Sequence, residues 1–190
     1  RSTLRRRSSI QVAIDLVRRG EADAFFSAGN TAACWTIAKL VLDTMEHVDR
    51  PALAAVVPRL RGRTVLIDVG ANASCKARQL EEFAVMGTVY TRRVFGVAEP
   101  RVGLMSIGEE DAKGNELTKR VRELLKSDPQ MNFVGNLEGR DIFRGFCDVV
   151  VCEGFVGNVI LKLTEGAVES LFKAIKNELM QEKPRLALKF

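Results

Sequence analysis

Apolar residues at Ile10, Ala13, Ile14 and Val17 follow the i, i+3, i+4, i+7 spacing that lines one helix face, with Ser8 or Ser9 placed to cap the helix and Gly20 to end it. The period then changes. Ala22–Phe26 reads as a strand, and Gly29-Asn30-Thr31 opens a second helix through Trp35 and Ile37 to about Thr44. Arg50-Pro51 interrupts the pattern. Ala52–Val57 then predicts a strand, and the basic link Arg59–Arg63 leads into another at Thr64–Val69. After the loop GANAS, Leu80, Phe83 and Ala84 mark one face of a helix from Arg78 to about Met86, where Gly87 lets the chain pass into further structure. Val102–Ile107 predicts a strand, Gly108–Asn115 a loop, Glu116–Lys126 a helix and Met131–Val134 a short strand before a turn at GNLEGRDIF.

The unalternated β-branched run Val149–Cys152 suits a strand buried on both faces of a parallel sheet. Gly154 and Gly157 permit close backbone approach in the turn that follows, and Asn158 brings a donor and an acceptor to the start of the last helix, whose exposed N–H groups attract anions. Along that helix Ile160, Leu163, Ala167, Leu171, Ile175 and Leu179 form a stripe, widened by Val168 and Phe172, until Pro184 ends the run. Such a stripe must lie against something: this sheet first, a second subunit next, a membrane surface third.

FFSAGNTAA, VLIDVGANAS and VGLMSIGEEDAKGNE repeat the grammar of the Val149 unit, a strand end followed by Gly and Asn. Ligands of open parallel sheets sit beyond the carboxyl ends of the strands, so these loops are expected to converge on one site. No repeat or low-complexity linker divides the chain, which predicts one α/β domain over residues 1–190. Its opening on a basic segment and a helix, with no strand before them, is expected of a fragment of a longer chain that lacks the amino-terminal part.

Composition narrows the function. With 190 residues, 46% hydrophobic and 28% charged, the chain can bury a core. The net charge of +5, with clusters at Arg5–Arg7 and at Arg59, Arg61 and Arg63, suits an acidic or phosphate-bearing partner; 6% aromatic residues and the lack of a recognised motif disfavour nucleic acid. Cys34, Cys75, Cys147 and Cys152 lack zinc spacing and His47 is the only histidine, so neither a Cys/His metal site nor a hydrolase triad is expected. GxxxxGK(S/T), GxGxxG and GxSxG are absent, and no apolar run is long enough to span a membrane.

Taken in order, SAGNTAA, RPALA, DVGAN, FAVMG, IGEEDAKGNEL, FVGNLEGRDIF and DVVVCEGFVGNVILKLTEG resemble the bacterial acyl-ACP:phosphate acyltransferases of membrane-lipid synthesis over nearly all of Ser8–Gly166. The resemblance implies a three-layer α/β/α Rossmann-like sheet similar to the phosphotransacetylase and isopropylmalate dehydrogenase group. It also implies a homodimer, with no metal or cofactor required; the cysteines suit reduced thiols of a cytoplasmic protein, and the stripe of the last helix suits peripheral contact with the inner face of the membrane. The implied reaction moves a long fatty acyl group from acyl carrier protein to inorganic phosphate. The rivals are a phosphotransacetylase-like enzyme acting on short acyl-CoA and a non-catalytic binding or scaffold homologue.

Phosphate is already anionic near neutral pH and can attack a thioester carbonyl without a protein nucleophile, which leaves positioning and charge stabilisation to the protein. On that basis Lys113 is expected to neutralise phosphate or the developing oxyanion, with Asn158 and N–H groups near Gly157 orienting it. Asn30, Thr31, Asn72, Gly108, Asn115 and Asn136 occupy matching loop positions as binding contacts, and each asparagine could equally brace its own turn. Glu109 and Glu110 suit holding Lys113 or neighbouring amides, Glu153 is a supporting acid, and Cys152 is expected to be buried and inert. The basic residues Arg59, Arg61 and Arg63 suit docking of the acidic carrier. Departures from the family's usual pattern fall at Ala32, Arg59, Ser74, Ser106 and Glu153, in or near these loops.

Overall fold

Val149, Val150 and Val151 are fully buried, and this short run becomes the centre of a sheet because neither of its faces meets water. In the computed structural model, which describes residues 8–59 and 61–187, five strands form one sheet: β1 (Ala54–Pro58), β2 (Arg63–Ile67), β3 (Val102–Met105), β4 (Phe133–Leu137) and β5 (Val149–Val151), in the order β1-β2-β5-β3-β4. β1 pairs antiparallel with β2; β2, β5, β3 and β4 are mutually parallel, with Val65 and Val102 both opposite Val149. The four parallel carboxyl ends therefore lie along one edge. β4 begins later than its sequence suggests, because Asp128 folds the preceding residues into a turn through the N–H groups of Gln130 and Met131.

Helices cover both faces. α3 (Ala77–Phe95) packs on β2 and β5, with α4 (Glu116–Ser127) beside it on β3 and β4. Gly87 was expected near the end of α3, yet the helix runs through it. A Cβ there would lie 2.5 Å from Val149 and 3.3 Å from Ile67, so the glycine is a notch that seats the helix on the sheet. On the opposite face Leu66, Val150, Met105, Leu137 and Ile142 form a core with Val156, Ile160 and Leu161 of α5 (Gly154–Ala187). Each fully buried Leu, Ile or Val of this kind contributes about 1.5–3 kcal/mol. The result is an α/β Rossmann-like fold.

α5 corrects two expectations. It begins at Gly154, before Asn158, and continues through Pro184 to Ala187. Its apolar stripe does not pack on the sheet beyond Leu161: Leu163, Leu171, Phe172 and Leu179 are 70, 62, 72 and 61% exposed. Length explains this. A helix of 34 residues spans about 51 Å, while strands of 3 to 5 residues extend only about 10–17 Å.

Contacts divide the chain into two compact units, Arg1–Ala52 and Leu53–Phe190. The first holds α1 (Ser9–Arg18), capped by Ser8, and α2 (Thr31–Leu42), which ends where Asp43 takes a positive φ. Ala22–Phe26, expected as a strand, is irregular, and Phe26 is exposed. A strand needs a ladder partner, and the described residues of this unit supply helices only.

Candidate active site at the carboxyl ends of the strands

Asp68 opens the loop after β2 with no solvent exposure, and a buried carboxylate must be surrounded by donors. The chain supplies them itself. Oδ1 accepts from the N–H groups of Leu53 (3.1 Å), Gly70 (3.1 Å) and Ala71 (3.0 Å), and Oδ2 from the Asn72 backbone (2.7 Å) and side-chain Nδ2 (2.8 Å). Residues 68–72 are thus wound around one carboxylate, and Asn72 is held in a fixed orientation.

The loop after β5 is locked onto this one. Asp68 N–H donates to the Cys152 carbonyl (2.9 Å) and Gly154 N–H to the Asn72 carbonyl (2.8 Å). The two loops touch backbone to backbone because both contacting residues are glycines. A Cβ on Gly154 would lie 2.7 Å from Asn72 O, and one on Gly157 would overlap the Asp68 carbonyl oxygen. Asn158 reaches the same place: a Cβ on Gly70 would stand 3.6 Å from it. Asn158 thus stands beside the loop that holds Asn72; Asn72 is buried and Asn158 exposed.

The amides at Gly154 and Gly157 are engaged, the latter with the Glu153 carbonyl at 3.0 Å, so the expectation that N–H groups near Gly157 face a ligand shifts to Phe155 and Val156 in the first turn of α5. Cys152 is 2% exposed and its thiol lies 3.4 Å from the Asp68 carbonyl. Burial, reinforced by Glu153 and Asp68, pushes this thiol up, far from a nucleophilic thiolate.

The loop after β3 belongs to the same edge, and β3 is the next strand beyond β5. Its turn is closed at the Glu110 carbonyl, which accepts from Lys113 N–H (3.0 Å) and from Asn136 Nδ2 (3.1 Å) at the end of β4. Gly108 lies beneath this turn, where a Cβ would come within 2.8 Å of both the Glu110 and the Lys113 side chains. An Arg122–Asp111 ion pair ties the loop to α4. The Lys113 side chain is exposed and makes no ion pair among the described residues, so the Glu110 backbone, rather than a carboxylate of Glu109 or Glu110, fixes the lysine's turn. Asn115 caps α4, accepting from Thr118 N–H at 2.9 Å. In the first unit, Asn30 caps α2 in the same way through Ala33 N–H (2.9 Å), and Thr31 is the first helical residue.

Two residues missed from the sequence matter here. Asp68 was legible only as part of DVGAN, where an Asp two residues before Gly is the pattern of a side chain that accepts from its own loop. Asp148, at the opposite end of β5, accepts from Arg59 (3.0 Å) and Arg101 (3.1 Å), while Arg59 also donates to the Cys147 carbonyl at 2.6 Å. Burial alone would raise the Asp148 carboxyl, but the side chain and backbone N–H of Arg101 and the Arg59 guanidinium outweigh it and hold the group below the usual carboxylate range. Arg59, expected to help dock the carrier, is 13% exposed and clamped inward. Only Arg61 and Arg63 of that trio are exposed. A cavity of about 360 Å3 lies at this amino end between Arg59, Arg63, Phe95 and Asp148, away from the strand-end loops. Another, of about 220 Å3, adjoins Glu109 and Asn136.

Residues 2–187 match the model of a family described as fatty acid synthesis protein. The chain is 54% identical over 172 residues to the phosphate acyltransferase of Acidobacterium capsulatum and 52% identical to that of Geobacter sulfurreducens, covering 90% of this chain in each case and 51% and 49% of the relatives. It thus spans about half the length of the curated relatives it matches. Among solved structures it resembles a phosphotransacetylase from Staphylococcus aureus (TM-score 0.62, 17% identity, 84% of this chain and 56% of that one). A branched-chain phosphotransacylase from Enterococcus faecalis is also similar (TM-score 0.55, 19% identity, 80% of this chain and 62% of that one). At such identities these structures speak for the fold alone.

Proposed function

Since the chain belongs to the fatty acid synthesis protein family, we propose that it forms the reaction centre of an acyltransferase that moves a long-chain fatty acyl group from acyl carrier protein to inorganic phosphate. The product is an acyl phosphate for phospholipid synthesis. The observation that carries this reading is the backbone lock between the loops after β2 and β5, which holds Gly154 on Asn72 and leaves Asn158 beside Gly70, on the sheet edge whose next loop carries Lys113. In the reaction a phosphate oxygen bonds to the thioester carbonyl carbon, the carbon–sulfur bond breaks, and the carrier leaves as a thiolate that takes up a proton.

Phosphate needs positive charge and N–H donors, and Lys113, Asn158 Nδ2 and the first-turn amides of α5 are suited to supply them. Glu153 sits at that helix start and would repel a phosphate placed too deep, so the anion belongs on the Asn158 side. No covalent acyl-enzyme is required, in keeping with the buried Cys152 thiol. With acyl carrier protein as donor, the reaction is cytoplasmic. The exposed stripe of α5 supports a homodimer that touches the inner face of the membrane peripherally; among the described residues no helix is long and apolar enough to cross one.

The test is product identification with the complete protein, long-chain acyl carrier thioester and inorganic phosphate. Acyl phosphate should appear in step with free carrier thiol, and acetyl-CoA should be a far poorer donor. Thiol release that does not depend on phosphate would refute the reading, and preference for acetyl-CoA would move it to a short-chain phosphotransacetylase.

A further inference from the structure

We infer, resting on the function just proposed, that Asn136 is a positioning residue for the transfer: through the Glu110 carbonyl it fixes the turn that carries Lys113, and it touches neither the phosphate nor the acyl donor. Its surroundings argue against the direct contact expected from its loop position. Asn136 is 6% exposed, and its Nδ2 donates to the Glu110 carbonyl at 3.1 Å, an orientation that a flip would turn into two facing oxygens. Oδ1 is buried with no partner, and a phosphate would bring it only a further acceptor. The cavity beside the residue is lined by Glu109, Val134, Leu137, Asp141 and Phe146, with no cation to draw an anion in. What remains for this side chain to act on is the Glu110 carbonyl.

That carbonyl decides the geometry of the lysine. Its two lone pairs are taken by Asn136 Nδ2 from β4 and by the Lys113 N–H at 3.0 Å, so one oxygen joins the strand to the turn. The other ties of this loop lie further from the lysine. Ser106 N–H donates to the Leu137 carbonyl at 2.8 Å and Asn115 caps α4, which hold the two ends of the loop; the Arg122–Asp111 pair reaches the turn only through an exposed carboxylate. Lys113 itself has no ion-pair partner among the described residues to aim it, and its stem rests over Gly108, where an added Cβ would lie 2.8 Å from Lys113 Cγ. The direction of the side chain therefore follows its backbone. For a charged group that stabilises a transfer, a displacement of about 1 Å costs up to about a hundredfold in rate.

The experiment is a double-mutant cycle on kcat/KM for phosphate, measured with the complete protein at saturating long-chain acyl carrier thioester. Asn136→Leu should lower this quantity about tenfold in the wild-type background, with the KM for the thioester changed less than about twofold. In the Lys113→Ala background the same change should cost less than about twofold, because a residue that acts only by aiming the lysine then has nothing to aim. Stability should move little, with a melting temperature within about 4 °C of wild type, since the Glu110 carbonyl keeps the Lys113 N–H and the unpartnered Oδ1 is removed. Asn136→Ala removes the same donor without adding volume, repeats the cycle and decides the matter if the leucine variant does not fold. Losses of about tenfold in both backgrounds overturn the inference, because Asn136 then acts independently of Lys113. Wild-type turnover of the Asn136 variants overturns it as well, as does undiminished turnover of Lys113→Ala, or failure of both Asn136 variants to fold, which would make the side chain a support of the sheet. Each of these results leaves phosphate-dependent transfer standing. Absence of that transfer in the wild-type protein overturns both the inference and the proposed function.

Discussion

Asp68 and Asp148 are both buried aspartates at ends of adjacent parallel strands, yet they are solvated by different means. Backbone N–H groups of its own loop surround Asp68, so the carboxylate acts as a mould that gives residues 68–72 their shape. Two arginines from distant segments surround Asp148, so it acts as a staple that holds strand starts together. A mould builds a site; a staple holds a frame. The difference teaches that burial of a charged group is no guide to function until its partners are counted by kind.

The most damaging way to break the mould is Gly157→Ala. The new methyl would overlap the Asp68 carbonyl, which is backbone on both sides, and should destabilise by about 3 kcal/mol or more in urea denaturation. Near-wild-type stability would mean that the two loops are not interlocked. Next, the two aspartates should separate stability from activity. Asp68→Asn sets an amide donor against backbone donors and should cost about 2–3 kcal/mol together with phosphate-dependent turnover. Asp148→Asn should cost about 2 kcal/mol, since Arg101 retains access to water, and leave the KM for phosphate unchanged. Equal effects of the two on that KM would erase the distinction.

Lys113→Ala should lower kcat/KM about a hundredfold with no change in the melting temperature, because the side chain is exposed and makes no ion pair among the described residues. The smallest effect is acid sensitivity. Asp148 has a folded pKa below its unfolded value, so its contribution is present above the ordinary carboxylate value of about 3.8 and is lost as pH falls through the folded one. Denaturation between about pH 5 and pH 2 should therefore show a steeper loss in wild type than in Asp148→Asn, and parallel curves would contradict this.

The α/β class and the positions of β2, β3 and β5 were legible because β-branched runs bounded by Gly and Asn are local signals. What escaped depended on distant partners. Gly87 looked like a boundary until Val149 and Ile67 were beneath it, and Ala22–Phe26 looked like a strand until no ladder met it. The stripe of α5 was legible, but the shortness of the sheet that could cover it was not. Within the site, Asn30 and Asn115 turned out to be caps, a local role, while Asn72, Asn136 and Asn158 have surroundings set by other strands. Four of the five bonds to the Asp68 carboxylate are local, yet the Leu53 contact and the lock to Gly154 require the folded sheet.

The most direct test of the central claim, that the interlocked loops after β2 and β5 hold the attacking phosphate, is the KM for inorganic phosphate in Asn158→Ala, measured with the complete protein at saturating acyl carrier thioester. The account predicts a rise of about tenfold with the KM for the carrier thioester changed less than about twofold. An unchanged phosphate KM in a folded, active variant would contradict it.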